Sequence, residues 1–328
     1  LRRILVVAPN WIGDALMAQP LFARLREKLS ALRLEALAPP WVAPVLRRMP
    51  EVDEVIEAGL AHGALQLGAR WRLARELKAR AYDQAIVLPN SWKSALVPFF
   101  ADIPLRSGYV GESRYGLLNL LYRGGKAKRA PMALHYARLA ESPGTPPAEP
   151  LPEPRLHVLR EAARATAARF GLAGRYAALC PGAEYGPAKR WPYYRELAHR
   201  LAADTQLRVA LIGSTGDREA CAGIEGVDLA GRTTLDEAIE LLAGAELVVS
   251  NDSGLMHVAA ALGVPQVALF GSSSPEHTPP RSARARVVWL KPDCSPCFQR
   301  DCPLGHFRCM KELSVERVMS EVGALVPA

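Results

Sequence analysis

Short, unbroken apolar runs punctuate this chain and constrain its fold more than any other feature. Ile4-Leu5-Val6-Val7-Ala8, Leu247-Val248-Val249 and Val267-Ala268-Leu269-Phe270 are too short for helices and lack the alternation of a half-exposed strand. Such runs suit strands buried on both faces of a parallel sheet. Parallel strands need crossover connections, usually helices. Residues 14–29 read as one, with Leu16, Leu21, Phe22, Leu25 and Leu29 at helical spacing. Pro20 lies inside it and is expected to kink it or delay its start. Further strands are expected at 34–38, 52–58 and 85–88, with helices at 42–48 and 65–80. Asn90 and Ser91 are placed to cap the next helix. The βαβα alternation means a parallel sheet with helices on both faces.

Residues 142–154 hold six prolines in thirteen positions, which neither a helix nor a sheet interior tolerates. This segment reads as a linker between domains at 1–150 and 155–328. The second half restarts the rhythm. Strands are expected at 176–179, 209–212, 227–230, 247–250, 267–270 and 287–290. Helices are expected at 161–170, 193–201, 217–222, 235–242, 255–262 and 315–325, the last capped by Ser314. The expected class is α/β: two Rossmann-like, doubly wound domains, with a site in the cleft between them beyond the strand C-termini. A length of 328 residues accommodates both.

The net charge of +8 is lopsided. Residues 1–150 carry 21 Lys/Arg against 13 Asp/Glu, whereas residues 151–328 carry 20 of each. With 49% apolar residues, an acidic disordered chain is excluded. There is no apolar run long enough to span a bilayer, and no signal peptide is expected from the N-terminal pattern. The basic excess includes Arg106, Arg114, Arg123, Lys126, Lys128 and Arg129, near Asn90, Ser91, Trp92 and Lys93. It reads either as a solvated face or as a pocket for an anionic substrate at an anionic membrane surface. Trp41, Trp71 and Trp92 suit a core or an interface equally. No nucleic-acid-binding pattern accompanies the charge.

Gly13-Asp14 opens the first helix after the first strand. Neither a dinucleotide fingerprint nor a P-loop occurs, so those phosphate sites are not expected. By position Asp14 is either a first-turn carboxylate favoured by the helix dipole or a general base. The loop at 181–192 contains Lys189 and Arg190, which are either solvated or phosphate-binding. Ser250-Asn251-Asp252-Ser253-Gly254-Leu255-Met256-His257 places small polar residues at a strand end, then a helix whose first N–H groups suit an anion. An ordinary N-cap at Asp252 or Ser253 is compatible with the same pattern. Gly213-Ser214 and Gly271-Ser272-Ser273-Ser274 are similar loops, and three in one domain suggest a grip on a nucleotide diphosphate. Cys294, Cys297, Cys302 and Cys309 lie within 16 residues. They read as a structural zinc site with His306 as a substitute ligand, as free or bridged thiols, or as redox-active groups.

Several longer stretches carry a family pattern. They are residues 10–14 (Asn-Trp-Ile-Gly-Asp), 49–52, 88–100, 114–119 (Arg-Tyr-Gly-Leu-Leu-Asn), 181–192 and 251–261. Together they resemble the ADP-heptose:lipopolysaccharide heptosyltransferases of glycosyltransferase family 9. The stretch from Asn90 to Phe100 is closer to those adding the second heptose than to those adding the first. The resemblance implies a GT-B fold, cytoplasmic and peripheral on the inner membrane. It implies an inverting transfer of heptose from ADP-L-glycero-D-manno-heptose to the first heptose of a Kdo–lipid A core. Asp14 matches the family's general base and Lys189 the lysine on the donor phosphate. Asp252, Ser253, Gly254 and His257 match the loop and helix that hold the donor pyrophosphate, and Asn251 and the Gly213-Ser214 loop are expected in the same donor site; Ser253 keeps the hydroxyl of the family's alternative Thr. Asn10, Trp11, Asn90, Ser91, Lys93 and Arg114 fall in the acceptor half. No catalytic cofactor is implied, and no D-x-D-like metal motif is present.

Overall fold

The computed structural model describes residues 1–60, 64–124 and 130–326. The expected cations Lys126, Lys128 and Arg129 lie outside the described residues. Two compact units emerge, Leu1–Glu153 and Pro154–Ala328, so the division falls inside the Pro-rich segment.

The first unit runs β1 (Arg2–Val7), α1 (Ile12–Lys28), β2 (Leu32–Ala38), α2 (Ala43–Leu46), β3 (Glu54–Glu57), α3 (Leu67–Lys78), β4 (Gln84–Val87), α4 (Leu96–Phe100), β5 (Leu105–Tyr109), β6 (Leu120–Tyr122) and α5 (Met132–Ala137). Its six strands are parallel, in the order β3-β2-β1-β4-β5-β6. Leu5, Val7, Leu37, Ala85 and Val87 pack on one face with Ala74 and Leu77 of α3 and Val97 of α4. The period of two sends Ile4 and Val6, also fully buried, to the other face.

Pro20 neither ends nor delays α1. Leu21, Phe22 and Leu25 are buried beyond it, and that burial outweighs one lost helical hydrogen bond. The first three strands are tied by a charged knot. Glu35 of β2, fully buried, accepts from Tyr82 at 2.5 Å, Arg33 at 2.6 Å, Arg80 at 2.7 Å and Arg3 at 3.1 Å. Arg33 and Arg80 also reach Glu54 of β3. Burial by itself would raise the Glu35 pKa; these donors overcome it and bring it down to about 2.

The second unit runs α6 (Arg160–Arg169), β7 (Tyr176–Cys180), α7 (Tyr194–Thr205), β8 (Arg208–Leu211), α8 (Arg218–Cys221), β9 (Val227–Asp228), α9 (Leu235–Gly244), β10 (Leu247–Asn251), α10 (Gly254–Leu262), β11 (Gln266–Phe270), β12 (Ala285–Trp289), α11 (Arg308–Lys311) and α12 (Val315–Leu325). The order β12-β11-β10-β7-β8-β9 repeats the topology of the first unit. Trp191, Tyr194, Leu197 and Leu201 share a core with Leu179, Val249 and Leu269 of the sheet and Val318 and Val322 of α12. Ser314 caps α12 as expected, accepting from the Arg317 N–H.

In this topology strand order reverses at one point in each sheet, between β1 and β4 and between β7 and β10. Loops leaving neighbouring strands there turn in opposite directions and open a crevice, where ligands of doubly wound folds bind.

Candidate functional site

The loops at the two switch points contain nearly all the expected site residues. In the first unit, β1 leads to Asn10, Trp11 and Asp14, and β4 leads to Asn90, Ser91 and Lys93. Asp14 occupies the first turn of α1, where the helix dipole favours a carboxylate. The hydroxyl of Tyr136, on α5, is hydrogen-bonded to it. Burial first, and Asp14 second, hold the Tyr136 phenol well above its ordinary pKa, so it stays a donor.

A cavity of about 220 Å³ lies beside these loops, lined by Asn10, Trp41, Arg70, Ser91, Lys93 and Ser94 over a floor from β1 and β2. Trp41 donates its indole N–H to the Asn10 carbonyl at 2.9 Å, fixing that wall. Arg70 is 7% exposed. Its guanidinium donates to the carbonyls of Leu65 at 2.7 Å and Lys93 at 3.0 Å, tying α3 to the β4 loop. Burial lowers its pKa.

Arg114 is 1% exposed. Its donors go to the carbonyls of Tyr109 at 2.7 Å and Pro89 at 2.5 Å, with longer contacts to Ser94 Oγ and Asn90 Oδ1. Burial pulls its pKa down to about 10. It therefore acts as a clamp under the Pro89–Ser91 loop. Gly111 permits the same closeness: a Cβ there would lie 2.3 Å from the Asn90 carbonyl oxygen.

In the second unit, β7 leads through Pro181–Gly182 to a 3₁₀ turn ending at Lys189, and β10 ends at Asn251. Lys189 Nζ donates to Asp252 Oδ2 at 2.5 Å, and Ser273 Oγ donates to the same oxygen at 2.5 Å. Asp252 is 5% exposed, so this ammonium is held in one place. Asn251 is fully buried: its amide donates to the Pro181 carbonyl at 2.7 Å and accepts from the Trp191 N–H and the Tyr194 hydroxyl. It staples the two switch-point loops from beneath. Ser253 is the N-cap of α10, yet its side chain does not cap; its hydroxyl lies 3.1 Å from that of Ser250. Gly254 is the first helical residue, so the N–H groups of that turn have no intrahelical acceptor. His257, one turn on, is buried. At the end of β8, Ser214 and Asp217 form a capping box that fixes the turn following Gly213. A Cβ on Gly182 would meet the Asp217 carboxyl at 2.1 Å, so glycine lets these loops nest together.

The expected zinc site requires correction. The four cysteines and His306 line one small cavity, beside Ser272. Among the described residues, however, no group of three or more His, Cys, Asp or Glu side chains is arranged to hold a metal ion. Cys309 belongs to the core of the unit, Cys297 and Cys302 are partly buried, and Cys294 is exposed. All six cysteines are free. Burial, then the neighbouring Cys294, Cys297 and Cys302, push Cys309 up to about 11.

Three contributors escaped the sequence reading. Ser273 lies in a loop flagged only for its small residues. Arg70 shares the buried stripe of α3 with Ala74 and Leu77, and an arginine at such a position is the readable signal. Tyr136 falls in a stretch to which no element was assigned, and nothing in the sequence marks it.

A family model described as glycosyltransferase family 9 (heptosyltransferase) matches residues 70–308. The lipopolysaccharide heptosyltransferase 2 of Escherichia coli (strain K12) is 43% identical, the match covering 99% of this chain and 98% of that one. The protein of the same name from Salmonella typhimurium (strain LT2) is 42% identical over the same shares. The solved structure of E. coli ADP-heptose LPS heptosyltransferase II has a TM-score of 0.87 and 40% identity, covering 99% of this chain and 98% of that chain.

Proposed function

The chain belongs to glycosyltransferase family 9, and from that membership we propose that it transfers L-glycero-D-manno-heptose from ADP-heptose to the first heptose of a Kdo–lipid A core, with inversion. It is a glycosyltransferase with the two α/β units of the GT-B fold. One observation carries the reading: the likeness to a heptosyltransferase 2 runs the length of the chain and takes in both pairs of switch-point loops.

In this reading an acceptor hydroxyl attacks the anomeric carbon of the heptose while the bond from that carbon to the ADP oxygen breaks. Asp14 accepts the hydroxyl proton. Negative charge grows on the departing diphosphate, where Lys189 and the N–H groups after Ser253 stabilise it. Asp252 and Ser273 keep the ammonium of Lys189 in place. Asn251 holds the loops, and Gly213, Ser214, Gly254 and His257 complete the donor wall. One displacement inverts the centre and needs no carboxylate nucleophile, unlike retaining glycoside hydrolysis. On the first unit, Asn10, Trp11, Asn90, Ser91 and Lys93 receive the acceptor sugar, with Arg114 shaping their loop. The cavity lined by Arg70 and Lys93 suits an acidic inner-core sugar. No helix among the described residues is long and apolar enough to cross a membrane. A cytoplasmic enzyme resting on the anionic inner leaflet fits the lipid-borne acceptor.

The test is ADP release with acceptors bearing no, one or two heptoses. Release is expected only with the one-heptose acceptor. Equal release with the heptose-free core would replace this reading with addition of the first heptose, and conversion of the sugar nucleotide without acceptor would indicate epimerisation.

A further inference from the structure

Every exposed tryptophan of the chain lies in the first unit: Trp11, Trp41, Trp71 and Trp92. Trp71 does not line the cavity there. It belongs instead to the outer stripe of α3, where Leu67, Trp71 and Arg75 follow at intervals of four. The neighbouring stripe, Arg70, Ala74 and Leu77, is buried and already anchors the helix. Leu67 is 50% and Trp71 51% exposed. The apolar surface continues onto α4, with Trp71 edge-on to Phe100 at 5.5 Å and Phe100 against Phe99 at 5.8 Å. Arg106 of β5 lies over the Phe99 ring at 5.4 Å. Leu65, two residues before α3, is exposed as well.

This apolar ridge is set among cations. Arg72, Arg75 and Lys78 of α3 are exposed, against the single exposed acid Glu76 on that helix. One acid, Asp102, is engaged by Lys78 at 2.5 Å. A contiguous apolar surface rimmed by polar groups marks a docking site. Aromatic and leucine side chains interleaved with arginines have the composition of elements that lie in a lipid headgroup region. Two copies of so basic a face would repel one another, while an anionic leaflet attracts it.

We propose that the α3–α4 edge of the first unit is the docking surface for an anionic lipid bilayer. Leu67, Trp71 and Phe99 seat at headgroup level, and Arg72 and Arg75 face the lipid phosphates. The proposal rests on the reading of the acceptor as lipid-borne and says which face meets the lipid.

The test is flotation of the full chain with vesicles of phosphatidylcholine, with or without one-third phosphatidylglycerol, in the absence of donor and acceptor. Binding is expected only with the anionic vesicles, and it should weaken with salt. The double variant Trp71→Ala/Phe99→Ala should lose about tenfold in vesicle partitioning. Arg72→Gln/Arg75→Gln, which disturbs no ring contact, should lose about fivefold. Unchanged partitioning in the arginine variant, with its circular dichroism intact, would overturn the proposal. So would loss of a concentration-dependent dimer in the aromatic variant with vesicle binding unaltered, which would assign the ridge to a second copy. A kinetic arm separates this from the transferase reading. With an acceptor stripped of its acyl chains both variants should keep wild-type kcat/KM, whereas with vesicle-embedded acceptor KM should rise. A chain that is no transferase would release no ADP in either arm while floating as before.

Discussion

Tyr136 and Asp14 reach one another from α5 and α1, and this contact makes the proposed base testable without deleting it. Tyr136→Phe removes a donor to the carboxylate but leaves its charge. The expected result is a kcat about tenfold lower with an unaltered KM for the sugar nucleotide. Asp14→Asn should lower kcat by about a thousandfold or more while ADP still binds, as measured by calorimetry. Lys189→Gln should cost about a hundredfold in kcat/KM for ADP-heptose with acceptor KM nearly constant. At this scale position was readable: Asp14 falls in the first turn of α1, and Lys189 and Asp252 on the loops after β7 and β10, where the sequence pattern put them. Asn251 and Arg114 were expected to touch substrate; instead both are buried and spend hydrogen bonds on loop backbone. Spacing cannot reveal which way a polar side chain turns.

The elements show where sequence patterns lose force. The strongly apolar strands β1, β4, β7, β10 and β11 were legible. β5 (Leu-Arg-Ser-Gly-Tyr) and β6 were not, because β6 ends the sheet and β5 carries Arg106, Ser107 and Gly108 instead of an apolar run. β5 also delivers Gly111 to the back of the β4 loop. Gly111→Ala should push Asn90 outward and raise acceptor KM about tenfold with donor KM unchanged, since the cost falls on one loop. The knot at Glu35 is a second element-level feature. Its folded pKa of about 2 lies below the ordinary 4.5, so its stabilisation is full above pH 4.5 and is lost as pH falls toward 2. The contribution is about 2 kcal/mol, allowing for its partly exposed arginine partners. Glu35→Gln should lower stability near neutrality and flatten the decline below pH 4.5, followed by urea unfolding at successive pH values.

For the whole molecule, the opposition between a basic first half and a neutral second half makes a kinetic prediction. Raising ionic strength should increase KM for the anionic acceptor severalfold and leave KM for ADP-heptose within about twofold. Steady-state kinetics with each substrate varied across a salt series measures both. The recurrence of one strand order in both units has a consequence for descent. Each unit keeps its ligand-facing residues on loops at the strand reversal and its stability in a sheet that those loops scarcely load. Under the proposed function, changes after β1 and β4 alter the choice of acceptor without touching the loops after β7 and β10. One lineage of chains can in this way diversify the sugar chains it extends without reinventing how the activated sugar is held.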